Sequence, residues 1–205
     1  MVDADGRRAR GARTRARVAH RAAEVASVEG LSGLSLGRLA DDLGLSKSGV
    51  AALFGTKEGL QLAAIAAARQ IFVQHVVAPT TAEPPGLPKL RALVEAWLQY
   101  VATPVFPGGC FMVATAAEFD SRPGPVRDSL AQQRRDWLEL LAEQFRHSQA
   151  AGHQPELLPP ALRAFEIDAV LASANISANM LDDPSALIAA RDILATRLAW
   201  ATETS

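Results

Sequence analysis

Apolar residues return along most of this chain at intervals of three and four, the spacing of one face of an α-helix. From about Arg13 to Glu29 the stripe is Val18, Ala22, Val25 and Ala26, and Gly30 stands where a helix would stop. Ser35 can cap a second helix that turns Leu36, Leu39, Ala40 and Leu43 inward; Gly44 ends it, and Ser46 can cap a third that runs to about Leu53. A fourth, with Thr56 as its cap, carries Leu60, Ala64, Ala67 and Ile71 onward to about Val77. The prolines and glycine between Pro79 and Pro88 then predict a loop.

Beyond that loop Leu90, Leu93, Val94, Trp97, Leu98 and Val101 fall on one face of a fifth helix. Pro104, Pro107, Gly108 and Gly109 interrupt before a sixth, from roughly Phe111 to Phe119. A seventh begins at Gly124-Pro125 and passes through Leu130, Trp137, Leu138, Leu141 and Phe145 to about Ala151. Pro159 and Pro160 open an eighth that is apolar on two faces. Leu162, Phe165, Ala169, Ile176 and Met180 line one; Ile167, Val170, Leu171, Ala174 and Leu181 line the other. A helix apolar nearly all round has to be covered from both sides, so a contact between two copies of the chain is expected here, with Ala174 in or beside the seam. Asp183 and Pro184 start a ninth helix containing Leu187, Ile188, Leu194, Leu198 and Trp200. Alanine and leucine dominate, aromatic residues make up 5%, and no run alternates as a strand does, so the expected fold class is all-α.

The second and third helices are short and meet across a turn of about three residues, which is the outline of a helix-turn-helix. Such a pair needs a small residue where the helices cross, a residue able to turn sharply, and apolar anchors for the second helix. Ala40, Gly44, and the set Leu39, Leu43, Leu45, Val50 and Leu53 supply these. Lys47, Ser48 and Gly49 are then left at the N-terminal end of the third helix, the end that enters a major groove.

Taken together, Leu39-Ala40, then Gly44-Leu45-Ser46-Lys47-Ser48-Gly49-Val50, then Phe54-Gly55-Thr56-Lys57-Glu58-Gly59-Leu60 resemble the signature of the TetR, or tetracycline-repressor-like, family of transcriptional regulators. The helix pattern and the length are similar to that family as well. The resemblance implies a three-helix DNA-binding head, a helical ligand-binding domain and a homodimer formed through the last two helices. It implies a basic arm over 1–12, a helix-turn-helix domain over 13–60 and a regulatory and dimerisation domain over 61–205. Ser35 and Lys57 would then meet phosphates at helix starts, and Lys47 a phosphate or a base edge. Ser46, Ser48, Gly49, Ala51, Ala52 and Phe54 complete the expected DNA-facing set. The family usually carries an aromatic residue where Ala51 stands and often a polar or aromatic one where Ala52 stands. Two methyl groups donate no hydrogen bonds, so base readout should be sparse and DNA shape should count for more.

Charge agrees with this division. The formal net charge is −1, but residues 1–60 hold ten Lys and Arg against seven Asp and Glu. Arg7, Arg8, Arg10, Arg13, Arg15, Arg17 and Arg21 crowd the start, opposed there only by Asp3 and Asp5. The run reads as a flexible arm that tracks phosphates; an organelle transit peptide has similar composition. With 49% hydrophobic residues, no stretch reading as a membrane span and no apolar secretory block, a cytoplasmic location is expected. Cys110, between Gly109 and Phe111, reads first as a small buried hydrophobe, with a redox-sensing thiol as the alternative.

Enzyme chemistry finds little support. His20, His75, His147 and His153 show no ligand spacing, no Walker, dinucleotide or GxSxG fingerprint is present, and no cofactor is expected. Glu118 and Asp120 could form an acid/base pair, but acids at a helix end are more often caps or ion-pair partners. A purely structural helical bundle is the other rival reading. The stretch from Pro107 through Asp128 is similar to a ligand-domain pattern among TetR-like proteins. An unidentified, largely apolar effector is accordingly expected between helices five, six and seven. Trp97, Tyr100, Phe111, Met112, Thr115, Glu118, Trp137 and Asn175 combine apolar area with few polar handles and are its candidate contacts, with core packing as the alternative for each.

Overall fold

The computed structural model describes residues 2–103, 105–152 and 158–198, without the side chains of 2–5 and 7. Pro104, His153 and Trp200 therefore lie outside the described residues, as do the side chains of Asp3, Asp5 and Arg7. Among the described residues there are nine α-helices and no strand: α1 Val2–Glu29, α2 Leu36–Leu43, α3 Lys47–Phe54, α4 Lys57–Phe72, α5 Leu87–Ala102, α6 Phe111–Phe119, α7 Pro125–Ala150, α8 Pro160–Met180 and α9 Ser185–Leu198.

Two boundaries differ from the sequence pattern. Helix α1 already runs from Val2, so the segment expected as an arm is helical. Its apolar stripe starts late, but alanine and arginine are strong helix formers and the stretch holds no proline. Gly6 and Gly11 meet no other side chain there; each costs about 1 kcal/mol relative to alanine without breaking the helix. Helix α4 ends at Phe72, and the chain continues as a wider π turn over Val73–Val77 and a 3-10 turn over Ala78–Thr80. Pro79 is the cause: it lacks the N–H that would bond to the carbonyl of His75, and its ring crowds that carbonyl.

The chain divides into two compact units. The first comprises Met1–Ile71 and Phe106–Leu130. Its core gathers Val18, Ala22 and Ala26 of α1, Leu31 and Leu34 of the following loop, Leu39 and Ala40 of α2, Val50 of α3, Leu60, Ala64 and Ile65 of α4, and Phe106 and Phe111. Helix α6 packs on α1. Gly108 makes that approach possible, because a Cβ there would come within 1.9 Å of the Ser27 carbonyl oxygen. Its N–H donates to Ser27 Oγ at 3.1 Å. Thus α6 and the start of α7 belong with the N-terminal helices by packing, although sequence position alone groups them with the chain after residue 60.

The second unit comprises Phe72–Val105 and Ala131–Ser205. Leu90, Leu93, Val94 and Leu98 of α5, Leu141 and Phe145 of α7, Ile167 and Leu171 of α8, and Leu194 and Leu198 of α9 form its core. The proline-rich loop before α5 is pinned where Gly86 N–H donates to Gln144 Oε1 at 3.3 Å. Arg191 of α9 pairs with Glu95 of α5 at 2.9 Å. Of the two apolar faces of α8, one is exposed at Leu162, Phe165, Ala169, Ile176 and Met180; the other is buried at Ile167, Leu171 and Ala174, half-buried at Val170, and exposed at Leu181 just past the helix end. Ala174, expected in a seam between copies, is 6% exposed and belongs to the unit's own interior.

Candidate functional site

Local chemistry builds the helix-turn-helix much as the sequence suggests. Ser35 Oγ accepts from Arg38 N–H at the start of α2. Gly44 closes that helix in the left-handed region (φ 64°, ψ 36°), and Leu45 N–H returns to the Ala40 carbonyl at 2.8 Å. This is a Schellman turn, and it sets the angle at which α3 leaves. Ser46 Oγ then caps α3 by accepting from Gly49 N–H at 3.1 Å. Ser46, Lys47, Ser48, Gly49 and Ala52 are exposed, Ala51 is half-buried and Val50 is fully buried. Phe54, expected in the DNA-facing set, is 8% exposed and anchors the C-terminal end of α3. Leu53, expected as the anchor, is half-buried, and its carbonyl is taken by Arg15. After Phe54, Gly59 is required by a close approach, since a Cβ there would stand 2.3 Å from the Phe54 carbonyl oxygen.

The arginines of α1 do two kinds of work. Arg15 donates to the Leu53 carbonyl and lays its guanidinium 4.7 Å from the Phe54 ring centroid. Arg17 reaches the Leu43 carbonyl at 3.4 Å, and Arg21 binds Asp42 at 2.9 Å. Its neighbours Glu24 and Asp42 hold the Arg21 guanidinium pKa above its usual value. Cations thus sit on the last carbonyls of α3 and α2, where helix dipoles favour them, and fasten α1 to the helix-turn-helix. Nothing in the periodicity distinguishes these three from Arg8, Arg10 and Arg13, which lie on the exposed N-terminal part of α1.

Two further predicted side chains have partners inside the first unit. Lys57 donates its ammonium to the Ser32 carbonyl. The Lys47 chain lies over Gly37, its Cε 3.4 Å from where a Cβ at 37 would be. Ser35 thus caps α2, Lys47 lies over its first turn at Gly37, and Lys57 holds Ser32, three residues before the cap.

The candidate effector residues fall in both units. Phe111, Met112, Thr115 and Glu118 belong to the first unit, and Trp97, Tyr100, Trp137 and Asn175 to the second. Phe111 packs near Phe106 with ring centroids 6.0 Å apart, and Thr115 Oγ1 donates to the Phe111 carbonyl at 2.9 Å. Glu118 is not a handle awaiting a ligand. Its two carboxylate oxygens accept from the N–H groups of Leu31 and Ser32, each at 2.7 Å. The acid/base pair with Asp120 is likewise not formed by these contacts. Cys110 is 3% exposed, in keeping with the small buried hydrophobe.

In the second unit Trp137 and Tyr100 are joined by a residue the sequence pattern did not single out. The Phe72 ring stands edge-on to both, with centroids 5.3 Å from Trp137 and 5.8 Å from Tyr100. Asp168 of α8 lies 9% exposed beside them and is bonded by Arg134 and by the Trp137 side chain. Burial pushes its carboxyl pKa up, and Arg134 and Trp137 pull back against that shift. Trp97 and Asn175 are each 3% exposed. A shallow groove of about 490 Å³ on the same unit is lined by Glu83, Leu87, Pro88, Arg91, Ala92 and Glu95.

Among the described residues, no group of three or more His, Cys, Asp or Glu side chains is placed to hold a metal. One stretch, Lys57–Thr80, is long and apolar enough by composition alone to cross a membrane, contrary to the expectation that none is. Leu60, Ile65 and Ile71 of this stretch are buried in the first unit, while Val73 is 41% exposed.

Comparison with known proteins agrees with this geometry. The profile described as "Tetracyclin repressor-like, C-terminal domain" matches residues 86–194, more than half of the chain. Similar in structure is a TetR transcriptional regulator from Chloroflexus aurantiacus J-10-FL, with a TM-score of 0.85 and 26% identity over 93% of this chain and 96% of that one. A TetR-family regulator from Cytophaga hutchinsonii gives 0.78 and 21% over 96% and 98%. AibR, solved with isovaleryl coenzyme A and operator DNA, shares the fold at 0.68 and 17%, over 89% and 97%. No curated protein matches the chain in sequence.

Proposed function

This chain belongs to the tetracycline-repressor-like (TetR) family of transcriptional regulators, and on that premise we propose that it is a ligand-responsive repressor that binds a palindromic operator as a homodimer. The observation that carries the reading is α3: a short helix capped by Ser46, fastened from behind by Val50, Phe54 and Arg15, and open along Lys47, Ser48, Gly49 and Ala52. Such a helix presents its N-terminal end to a major groove. Lys47, lying beside the start of α2, meets a phosphate together with Ser35. Arg8, Arg10 and Arg13 follow the backbone beyond, from a helix rather than a loose arm. Lys57 contributes a weaker contact, since its ammonium already serves Ser32. Ala51 and Ala52 offer only methyl groups, so sequence is read sparsely and largely through DNA shape.

The exposed stripe of α8, with Ile188 and Ile193 of α9, supports the homodimer. Two copies related by a two-fold axis cover each other's stripes and present two heads to two half-sites. A small, largely apolar effector binds within the second unit beside Trp97, Tyr100, Trp137 and Asn175, and the division of labour is DNA binding before residue 60 and regulation after it. A cytoplasmic, non-enzymatic role follows from this reading. That AibR was solved with an acyl coenzyme A and with operator DNA is in keeping with one chain holding both kinds of partner.

The test is selection of genomic DNA fragments on the purified protein, followed by affinity measurements across a salt series. The parent should retain a fragment with two-fold symmetry. Lys47→Ala should bind it more weakly with an unchanged melting curve, and the slope of log affinity against log salt should fall by about one unit. Identical salt slopes for parent and variant would remove Lys47 from the interface; a parent that selects nothing would remove the DNA-binding reading.

A further inference from the structure

The loop between α1 and α2 is held in an unusual way. Gly30 takes a left-handed conformation, φ 76°, and turns the next two N–H groups, those of Leu31 and Ser32, toward one point. Consecutive amides after a left-handed residue form a small concavity that suits an anion, and Glu118 from the last turn of α6 fills it. A Cβ at 30 would also stand 2.7 Å from Glu118 Oε2 and would push the carboxylate aside. The remaining polar groups of these two residues are engaged as well. The Leu31 carbonyl accepts from Gln61 Nε2 at 2.9 Å, the Ser32 carbonyl from Lys57, and Ser32 Oγ from Arg122 at 3.2 Å. Helix α4 and the end of α6 therefore converge on two residues that lie four and three positions before Ser35, the cap of α2.

We propose that Glu118 is a positioning residue for DNA binding: by gripping the Leu31 and Ser32 amides it fixes where α2, and with it α3, is held relative to α6. The proposal rests on the DNA-binding reading above. Glu118 touches no DNA. Both of its bonds are of the charge-assisted kind, so their loss frees the loop more than loss of a neutral pair would. Gln61, Lys57 and Arg122 stay attached to the other groups of the loop, and so the head stays folded when the carboxylate is removed.

The experiment uses the full-length protein with Glu118→Gln and Glu118→Ala. Glutamine keeps the volume but offers one acceptor oxygen for two amides; alanine offers none. Three quantities are read: the melting temperature, affinity for a selected operator fragment and for an unrelated duplex, and the amide signals of Leu31 and Ser32 by NMR. Expected is a roughly tenfold loss of operator affinity for alanine and a smaller loss for glutamine, little change on the unrelated duplex, and displaced, faster-exchanging Leu31 and Ser32 amides. Should alanine fail to fold, glutamine carries the same comparison. Parental operator affinity in the folded variants overturns the proposal. So does an equal loss on both duplexes, which reports fewer folded heads, and so do unmoved amide signals accompanying a loss of affinity. A parent that retains no fragment defeats the DNA-binding reading instead, and that result is seen before any variant is made.

Discussion

At the scale of single residues, cap and turn chemistry was legible because it is decided within a few positions. Ser35, Gly44 and Ser46 act as the sequence suggests, since an N-cap hydroxyl or a left-handed glycine needs only its own neighbours. Glu118 and Phe54 were misplaced because their partners, Leu31 and Ser32 in one case and Arg15 in the other, lie far away in sequence. Asp168 was not singled out at all, yet it makes a prediction. Its carboxyl pKa is raised from 3.8, first by burial, against opposing pulls from Arg134 and Trp137. The folded protein therefore holds that proton more tightly than the unfolded chain does. Its contribution to stability is full below 3.8 and is lost as pH rises through the folded value. Asp168→Asn removes this dependence, while Arg134, 42% exposed, can turn to water. Melting temperatures across the acidic range should show the variant gaining on the parent as pH rises; a constant gap between the two curves would count against this account.

At the scale of elements, the periodicity located all nine described helices, and it missed where α1 starts and where α4 stops. Apolar spacing says nothing about residues 2–12, which are helical by propensity, or about the π turn that Pro79 imposes on the end of α4. Helix α8 shows the limit most clearly. Its two apolar faces were both visible, but which one the chain covers for itself depends on where α5, α7 and α9 lie. The structure covers Ile167, Leu171 and Ala174 and leaves Leu162, Phe165, Ile176 and Met180 open. Arginine at 174 would thus disrupt the unit's own core and test nothing about association. Ile176→Arg is the informative change, since Ile176 is 47% exposed in the single chain. In a dimer seam an unpaired charge costs about 3–5 kcal/mol. The variant should be a monomer by light scattering with its helical circular dichroism intact, and a persisting dimer would assign the seam elsewhere.

At the scale of the whole molecule, the chain leaves Phe165 57% and Met180 76% exposed on one stripe, which a second copy would cover in the proposed homodimer. Covering an apolar side chain of this size contributes about 1.5–3 kcal/mol, so several of them on each copy make association and folding hard to separate. If folding ends in the dimer, the melting temperature must depend on protein concentration. For two chains of 205 residues a tenfold dilution should lower it by about 1–2 °C, whereas a self-sufficient monomer would melt at the same temperature throughout. The consequence reaches past the test tube. A regulator kept at a few copies per cell sits at the dilute end of that dependence, where each newly made chain must find a twin before its apolar stripe finds a protease or a chaperone. The rate at which the gene is expressed then becomes one of the quantities that determine how long its product lasts.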